Sequence, residues 1–452
     1  MRNALTALEV PFTEETIRKV TEFQADLLAI AMSGATASSA RYSFHDLQNT
    51  LPAVSWRILL HDFNTLPILI SQSEKQYLLS LQYVKKAHEL MQKDPQTTAN
   101  YLGWKVVQHL LPHTTAELRE EAFQLDNVTY QVPRQKDLKE KCTQETITAF
   151  RFAVGKLFYD IVAAKEERTG VELIMSYVRR AFFKRLNESD WLDDQTRAAA
   201  LQKLKGLIVD YYLPSAFSLR VSWDRRPPYA DIDSFYSEVQ TPKVKASEFT
   251  FVSWILEVSR FQYQRSLREL MVRKEEDVPF YFWDRIPTDF TAAYVTNWNL
   301  VIVPVSVLSG PWYKRSRPEA MNFGGLGFVL GHELAHAFDP TSFQYNFKGE
   351  KRIEDWSPAC REEHASRSKC FVNQYHGFKF MDQQVDPERT LIENIADSEG
   401  LRLAFEAFQL FRQNHPEMMN RRLPLDMSRY TDEQLFFLSF ANVRRLSLLK
   451  WC

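Results

Sequence analysis

The five residues His332-Glu333-Leu334-Ala335-His336 constrain this chain more than any other stretch. Histidines at i and i+4 share one face of an α-helix, so both imidazoles can reach a single point beside it. The surrounding segment, NFGGLGFVLGHELAHAFD from Asn322 to Asp339, supports a helix: Leu326, Val329, Leu330, Glu333, His336 and Ala337 recur at helical spacing. Asn322 and the pair Gly324-Gly325 punctuate the expected entry, and Asp339-Pro340 the expected stop. Small residues keep such a helix thin, so another backbone can come close. Ionisable groups on so apolar a helix are costly unless something compensates them.

A metal ion compensates a pair of imidazoles directly. His-Glu-x-x-His on a helix is the ligand pattern of zinc peptidases, with the glutamate placed to act on a water at the metal. The alternative from the residues alone is an ordinary helix with polar residues on one face. A catalytic zinc needs three protein ligands and one open position. Downstream, Glu393-Asn394-Ile395-Ala396-Asp397 lies in a helical run made apolar by Leu391, Ile392, Ile395, Leu401, Leu403, Phe405 and Phe408. Glu393 and Asp397 fall one turn apart on one face, and a carboxylate pair in an apolar run calls for a cation or an imidazole partner. Glu393 suits the third ligand, and Asp397 suits a hydrogen bond to the far nitrogen of a ligating histidine. The alternative is a helix whose acids face solvent.

With HELAH and ENIAD both placed, the chain resembles the neprilysin-like peptidases of the M13 family, which include the endothelin-converting enzymes. The family's zinc helix reads like GGIGxVIGHExxHxFD, against GGLGFVLGHELAHAFD here, and ENIAD is present letter for letter. WLDDQTRAAALQKL (Trp191 to Leu204), AAYVTNWNLVIVPVSVL (Ala292 to Leu308) and LFFLSFANV (Leu435 to Val443) are similar to three further family segments. The resemblance runs from about Tyr101 to Val443. It implies a mainly α, two-domain architecture: a thermolysin-like zinc-helix catalytic domain with a small β-sheet at 279–452, and a helical N-terminal domain at 1–278. It implies one Zn²⁺ per chain, held by His332, His336 and Glu393, with Glu333 as general base and Asp397 as the supporting carboxylate. It also implies that Val307, Trp312, Phe328 and Val329 wall an apolar pocket for a substrate side chain, and that Thr291-Ala292 stands where the family's substrate-binding Asn-Ala pair stands.

Three departures from the family pattern bear on function. A threonine hydroxyl at Thr291 is shorter than an asparagine amide and has fewer hydrogen-bonding groups, so weaker or altered substrate holding is expected, with zinc retained. After Val443 the family continues with a histidine that stabilises the tetrahedral intermediate and an arginine that binds substrate. Here RRLSLLKWC follows and His415 lies too early, which reads as a truncated or misread gene or a degenerate copy. Loss of such a stabiliser commonly costs about a hundred- to a thousandfold in turnover. Met1 to Val10 has no signal-peptide pattern, and no apolar run of eighteen residues suggests a membrane span, so the chain is expected to begin inside the helical domain. By resemblance the protein works outside the cell or at its surface.

Balanced charge, 56 basic against 57 acidic residues, leaves no electrostatic footprint for nucleic acid or for an anionic membrane. The four cysteines are too few to decide a redox compartment. The resemblance implies disulfides at positions like Cys142 and Cys370 with partners outside this chain; reduced thiols remain open. Apolar stripes at helical spacing mark EETIRKVTEFQADLLAIAM, EKQYLLSLQYVKKAHELMQ and WLDDQTRAAALQKLKGL as helices. A Pro- and aromatic-rich interruption at Leu213 to Asp231 and a charged boundary at Arg273 to Pro279 are expected, with helix between about Ser247 and Lys274. Ala292 to Val305 reads as two short strands about Asn297-Trp298, and Pro304 suits an edge strand able to pair with an extended peptide. Thr431 and Gln434 form a capping box ahead of LFFLSFANV.

These expectations converge on a zinc metalloendopeptidase acting on peptides. The alternative is a catalytically impaired zinc-binding homologue that binds peptides or a partner. A zinc-stabilised structural protein fits less well, because structural sites close all four positions with protein ligands.

Overall fold

The computed structural model describes residues 1–35, 40–56, 77–130, 132, 134–162, 165–212, 236, 250–269, 287–289, 291–380, 383–420 and 429–448. The interruption expected at 213–231 and the boundary expected at 273–279 lie outside the described residues. Contacts divide the chain into two compact units, one of residues 1–142 and 233–279, the other of 143–232 and 280–452. In this grouping the described residues 143–212 fall with the histidines.

The first unit is helical, as the apolar stripes predict. Thr13 caps the helix Glu14–Ile30 by accepting from the Thr16 N–H, which satisfies one of the orphan donors of the first turn. Val20, Trp104, Leu111 and Leu118 form one small core, and Phe23, Leu27 and Ala87 another. The helix expected across EKQYLLSLQYVKKAHELMQ starts late. Tyr77–Leu79 is a strand paired antiparallel with Ala40–Tyr42, and Ser80 then caps the helix Leu81–Lys93 by accepting from the Tyr83 N–H. A good capping residue inside the apolar stripe ends the extended segment there.

The second unit holds the larger core. Helix α1 (Lys165–Glu188) contributes Val171, Ile174, Val178 and Phe182. Helix α2 (Asp194–Gly206) follows, capped by Asp193, whose carboxylate accepts from the Thr196 N–H at 2.8 Å. Three strands come next: β1 (Ile208–Tyr212), β2 (Ala293–Val295) and β3 (Leu300–Pro304). Their order is β1-β3-β2, with β3 parallel to β1 and antiparallel to β2. Every residue of β3 is buried, as its unbroken Leu-Val-Ile-Val run suits a strand covered on both faces. The strand carrying Pro304 is therefore central among the described strands, and the edges are β1 and β2. Pro304 is tolerated because it ends the strand: the β2 ladder stops at Ala293↔Ile302, and only Tyr212 of β1 lies opposite the proline.

The helix of the HELAH motif begins earlier than its glycines suggest. An α-turn at Glu319–Asn322 runs into a π-helical turn at Phe323–Gly327 and then into α3 (Phe328–His336). Asn322 and Gly324-Gly325 are thus interior. The glycines are there for close approach: a Cβ at Gly324 would collide with the Phe436 carbonyl, and one at Gly325 would sit 2.6 Å from the Trp312 oxygen. The wider π ring leaves the Leu326 N–H to donate outside the helix, to Trp312 O at 2.9 Å. Helices α4 (Pro358–Tyr375), α5 (Leu391–Asn414) and α6 (Asp432–Leu448) complete the unit. The expected capping box opens α6: the Thr431 N–H donates to Gln434 Oε1 at 2.9 Å and the Gln434 N–H to Thr431 Oγ1 at 3.2 Å. Leu330 and Leu334 of α3 and Leu403, Phe408 and Phe411 of α5 are fully buried, each contributing roughly 1.5–3 kcal/mol through burial.

Candidate metal centre

Helices α3 and α5 cross with backbone against backbone. A Cβ on Gly331 would lie 2.5 Å from the Gly400 carbonyl oxygen, and one on Gly400 would lie 2.5 Å from the His332 nitrogen. With no side chain between them, the crossing brings α5 alongside the two histidines of α3. Three donor atoms converge there. His332 Nε2 and His336 Nε2 are 3.0 Å apart, and Glu393 Oε2 is 3.4 Å from the first and 3.8 Å from the second.

The remaining ring nitrogens are each backed by a carboxylate. Asp397 Oδ1 of α5 lies 3.0 Å from His332 Nδ1. Asp339 Oδ2 lies 3.1 Å from His336 Nδ1. Asp339 did not stand out in the sequence, where Asp339-Pro340 reads as a helix stop. It does both jobs: its Oδ1 accepts from the Thr341 N–H at 2.8 Å and the Ser342 N–H at 2.6 Å, turning the chain away from the helix. The available signal was its spacing, three residues after His336 on the same face. His336 Nδ1 is hydrogen-bonded to its carboxylate and His332 Nδ1 has one as an ion-pair neighbour; a carboxylate at Nδ1 favours the tautomer that turns its Nε2 lone pair toward the common centre.

The acids around His332 also attract positive charge. Burial would push the His332 imidazolium down, yet hydrogen bonds to Asp397 and Glu393 and the charges of Glu333 and Asp397 hold it up, at about 10. That field favours positive charge at His332. Glu333 is buried, and burial pushes its carboxyl up; the histidines and the Tyr294 backbone N–H of β2 pull it back only in part. Glu393, by contrast, has a side chain 65% exposed, so the expected carboxylate pair is unequally placed, with Asp397 inside and Glu393 at the mouth.

The donor set fits a first-row divalent ion. Two imidazoles and one carboxylate offer atoms within 4.8 Å of one another. Separations of 3.0–3.8 Å are what donors about 2 Å from one ion subtend at tetrahedral angles, and among the described residues the set has three members.

The residues expected on the substrate side belong to the same unit as the histidines. Exposed Thr291 and buried Ala292 lead directly into β2, an edge strand, whose Tyr294 N–H reaches Glu333. Val307, Trp312 and Phe328 are buried in the core of this unit, with Val329 half-buried beside them. Phe328 sits edge-on to Phe440 of α6, with ring centroids 4.8 Å apart, and 6.0 Å from the His332 ring.

Two profiles described as peptidase family M13 match the chain, over residues 1–214 and 291–448. Rat endothelin-converting enzyme-like 1 is 30% identical over 90% of the chain and 48% of its own length. The human protein of that name is 28% identical over the whole chain and 55% of its own length. The chain spans about half the length of these curated relatives. Among solved structures, PepO of Lactobacillus rhamnosis aligns with a TM-score of 0.75 at 17% identity, over 98% of this chain and 64% of that one. The zinc metalloprotease Zmp1 of Mycobacterium tuberculosis aligns with a TM-score of 0.72 at 21% identity, over 97% and 64%. At such identities the likeness is one of fold.

Proposed function

From the premise that this chain belongs to peptidase family M13, we propose that it is the core of a zinc-dependent endopeptidase acting on peptides. The observation that carries the reading is the convergence of His332 Nε2, His336 Nε2 and Glu393 Oε2 beside the buried carboxylate of Glu333. His332, His336 and Glu393 hold the metal. A bound zinc ion supplies Lewis acidity toward the scissile carbonyl and the attacking water.

The rest is done by the protein's own groups. Asp339 is hydrogen-bonded to His336 Nδ1 and Asp397 stands beside His332 Nδ1, which favours both imidazoles presenting Nε2. Glu333, with its carboxyl raised by burial, takes a proton from the attacking water at its carboxylate oxygen and delivers it to the leaving amine. An extended peptide adds to β2, an edge among the described strands, through main-chain hydrogen bonds, beginning beside Thr291 and Ala292. Val307, Trp312, Phe328 and Val329 exclude water from one substrate side chain. Peptides are the partners on this reading. Among the described residues no helix is long and apolar enough to cross a membrane, and we place the activity outside the cell or at its surface.

The deciding experiment is cleavage of a quenched peptide library by wild type, with and without chelator, and by Glu333→Gln. The expected result is chelator-sensitive cleavage that Glu333→Gln abolishes while binding as much zinc as wild type. Zinc-dependent cleavage that survives in Glu333→Gln removes that residue as the base. Thr291 supports a second reading, because a hydroxyl replaces the amide expected to grip substrate: a zinc-bound protein that binds peptides without cutting them. Peptide binding with zinc retained and no cleavage selects it.

A further inference from the structure

Lys203 is a cation in an unusual place. It lies on α2, 2% exposed, far in sequence from the histidines. Its Nζ donates to the Ser342 carbonyl and stands 5.6 Å from the centre of the Phe338 ring. The acidic charge that acts on it is that of Asp339. Ser342 is therefore held from both sides: its N–H donates to Asp339 Oδ1, and its carbonyl accepts from Lys203. Its hydroxyl also hydrogen-bonds Thr296 Oγ1 at 3.0 Å, in the turn between β2 and β3. The Lys203 backbone carbonyl accepts from Asn299 Nδ2 at 2.9 Å, and Asn299 Oδ1 accepts from the Tyr294 hydroxyl at 3.0 Å.

Nothing in the proposed chemistry uses Lys203, yet a buried ammonium is expensive and persists only where its partners need it. Resting on the zinc reading above, the geometry points to Lys203 as a positioning residue that clamps the 339–342 turn and holds Asp339 against His336 Nδ1. Through that carboxylate it tunes how strongly His336 holds a metal ion. Burial pushes Lys203 down to about 7, and the charge of Asp339 works against that shift. Supporting groups of this kind commonly change metal affinity by about ten- to a hundredfold.

The test uses the full chain with Lys203→Met, Asp339→Asn and the double variant, and zinc alone as the probe. Lys203→Gln, which keeps a donor for the Ser342 carbonyl, replaces Lys203→Met if that variant does not fold. Two quantities are read: the zinc dissociation constant by chelator competition, and, in the metal-free protein, amide hydrogen exchange at Thr341 and Ser342. The expected result is a zinc dissociation constant about tenfold weaker in Lys203→Met, with little further loss when the change is made in Asp339→Asn. Exchange at the two amides accelerates at least severalfold while distant amides of the same unit keep their protection. A lysine that only stabilises the fold lowers protection everywhere and adds its effect to that of Asp339→Asn; either result overturns the inference, as does an unchanged dissociation constant. If wild type binds no zinc, the proposed function fails, and the amide exchange still decides the inference: selective acceleration sustains the clamp, and none refutes it.

Discussion

His332 and His336 stand one turn apart on α3 and are supported in opposite ways. His332 leans on Asp397, a residue of another helix brought in by the Gly331–Gly400 crossing. His336 leans on Asp339, three residues along its own chain, in a turn braced by two backbone N–H groups. One histidine is positioned by how helices pack and the other by how the chain ends its helix. Damage to packing should therefore reach His332 first, and damage to the turn should reach His336 first.

The largest effect that tests this contrast is at the crossing. Gly400→Val places branched carbon where a Cβ alone would sit 2.5 Å from the His332 nitrogen. Overpacking of this kind costs about 1–3 kcal/mol or more, so we expect a lower melting temperature together with zinc affinity reduced by at least about a hundredfold. Near-normal affinity would mean that α5 is not gauged by this contact. Next come the two carboxylates. Asp397→Ala and Asp339→Ala should each weaken zinc about ten- to a hundredfold. Only Asp339→Ala also leaves two backbone N–H groups without their acceptor, adding about 1–3 kcal/mol of destabilisation in denaturant unfolding of the metal-free protein. Equal destabilisation by both would erase the distinction.

The smallest effect is on pH dependence. The His332 group sits at about 10 in the fold, above its ordinary value of 6.5. Its stabilising contribution is full below about 6.5 and is lost as pH rises toward about 10. Glu333, also raised, weighs the same way from the ordinary carboxylate range upward. The metal-free protein should thus lose stability between pH 6.5 and 10, a loss that His332→Gln reduces when unfolding is followed at both ends of the range. On the proposed mechanism, cleavage falls as acid protonates Glu333.

Much of this was legible in the sequence, and the gaps have physical causes. The i, i+4 histidines and the i, i+4 acids could be placed because helical spacing alone decides which side chains share a face. The strand pair around Asn297-Trp298 was readable from β-branching and turn residues, but its rank in the sheet was not. Pro304 argues for an edge only when nothing else is known, and the parallel partner Ile208–Tyr212 lies about ninety residues earlier. Gly324-Gly325 read as an entry because glycine breaks helices in isolation; here they admit the carbonyls of Phe436 and Trp312, a requirement visible only in three dimensions. Asp339 was hidden by its other role as a stop, and Lys203 by an exposed-looking helix pattern.

The hydrogen bond from the π turn has a consequence for selectivity. Leu326 N–H ties the Trp312 carbonyl to the same helical segment that carries the histidines. On the proposed reading, Trp312 forms part of the wall against a substrate side chain, so the wall is fastened to the metal's own helix. The backbone of that wall cannot shift without disturbing the metal's helix. On that reading a pocket with a fixed backbone sorts substrate side chains by size.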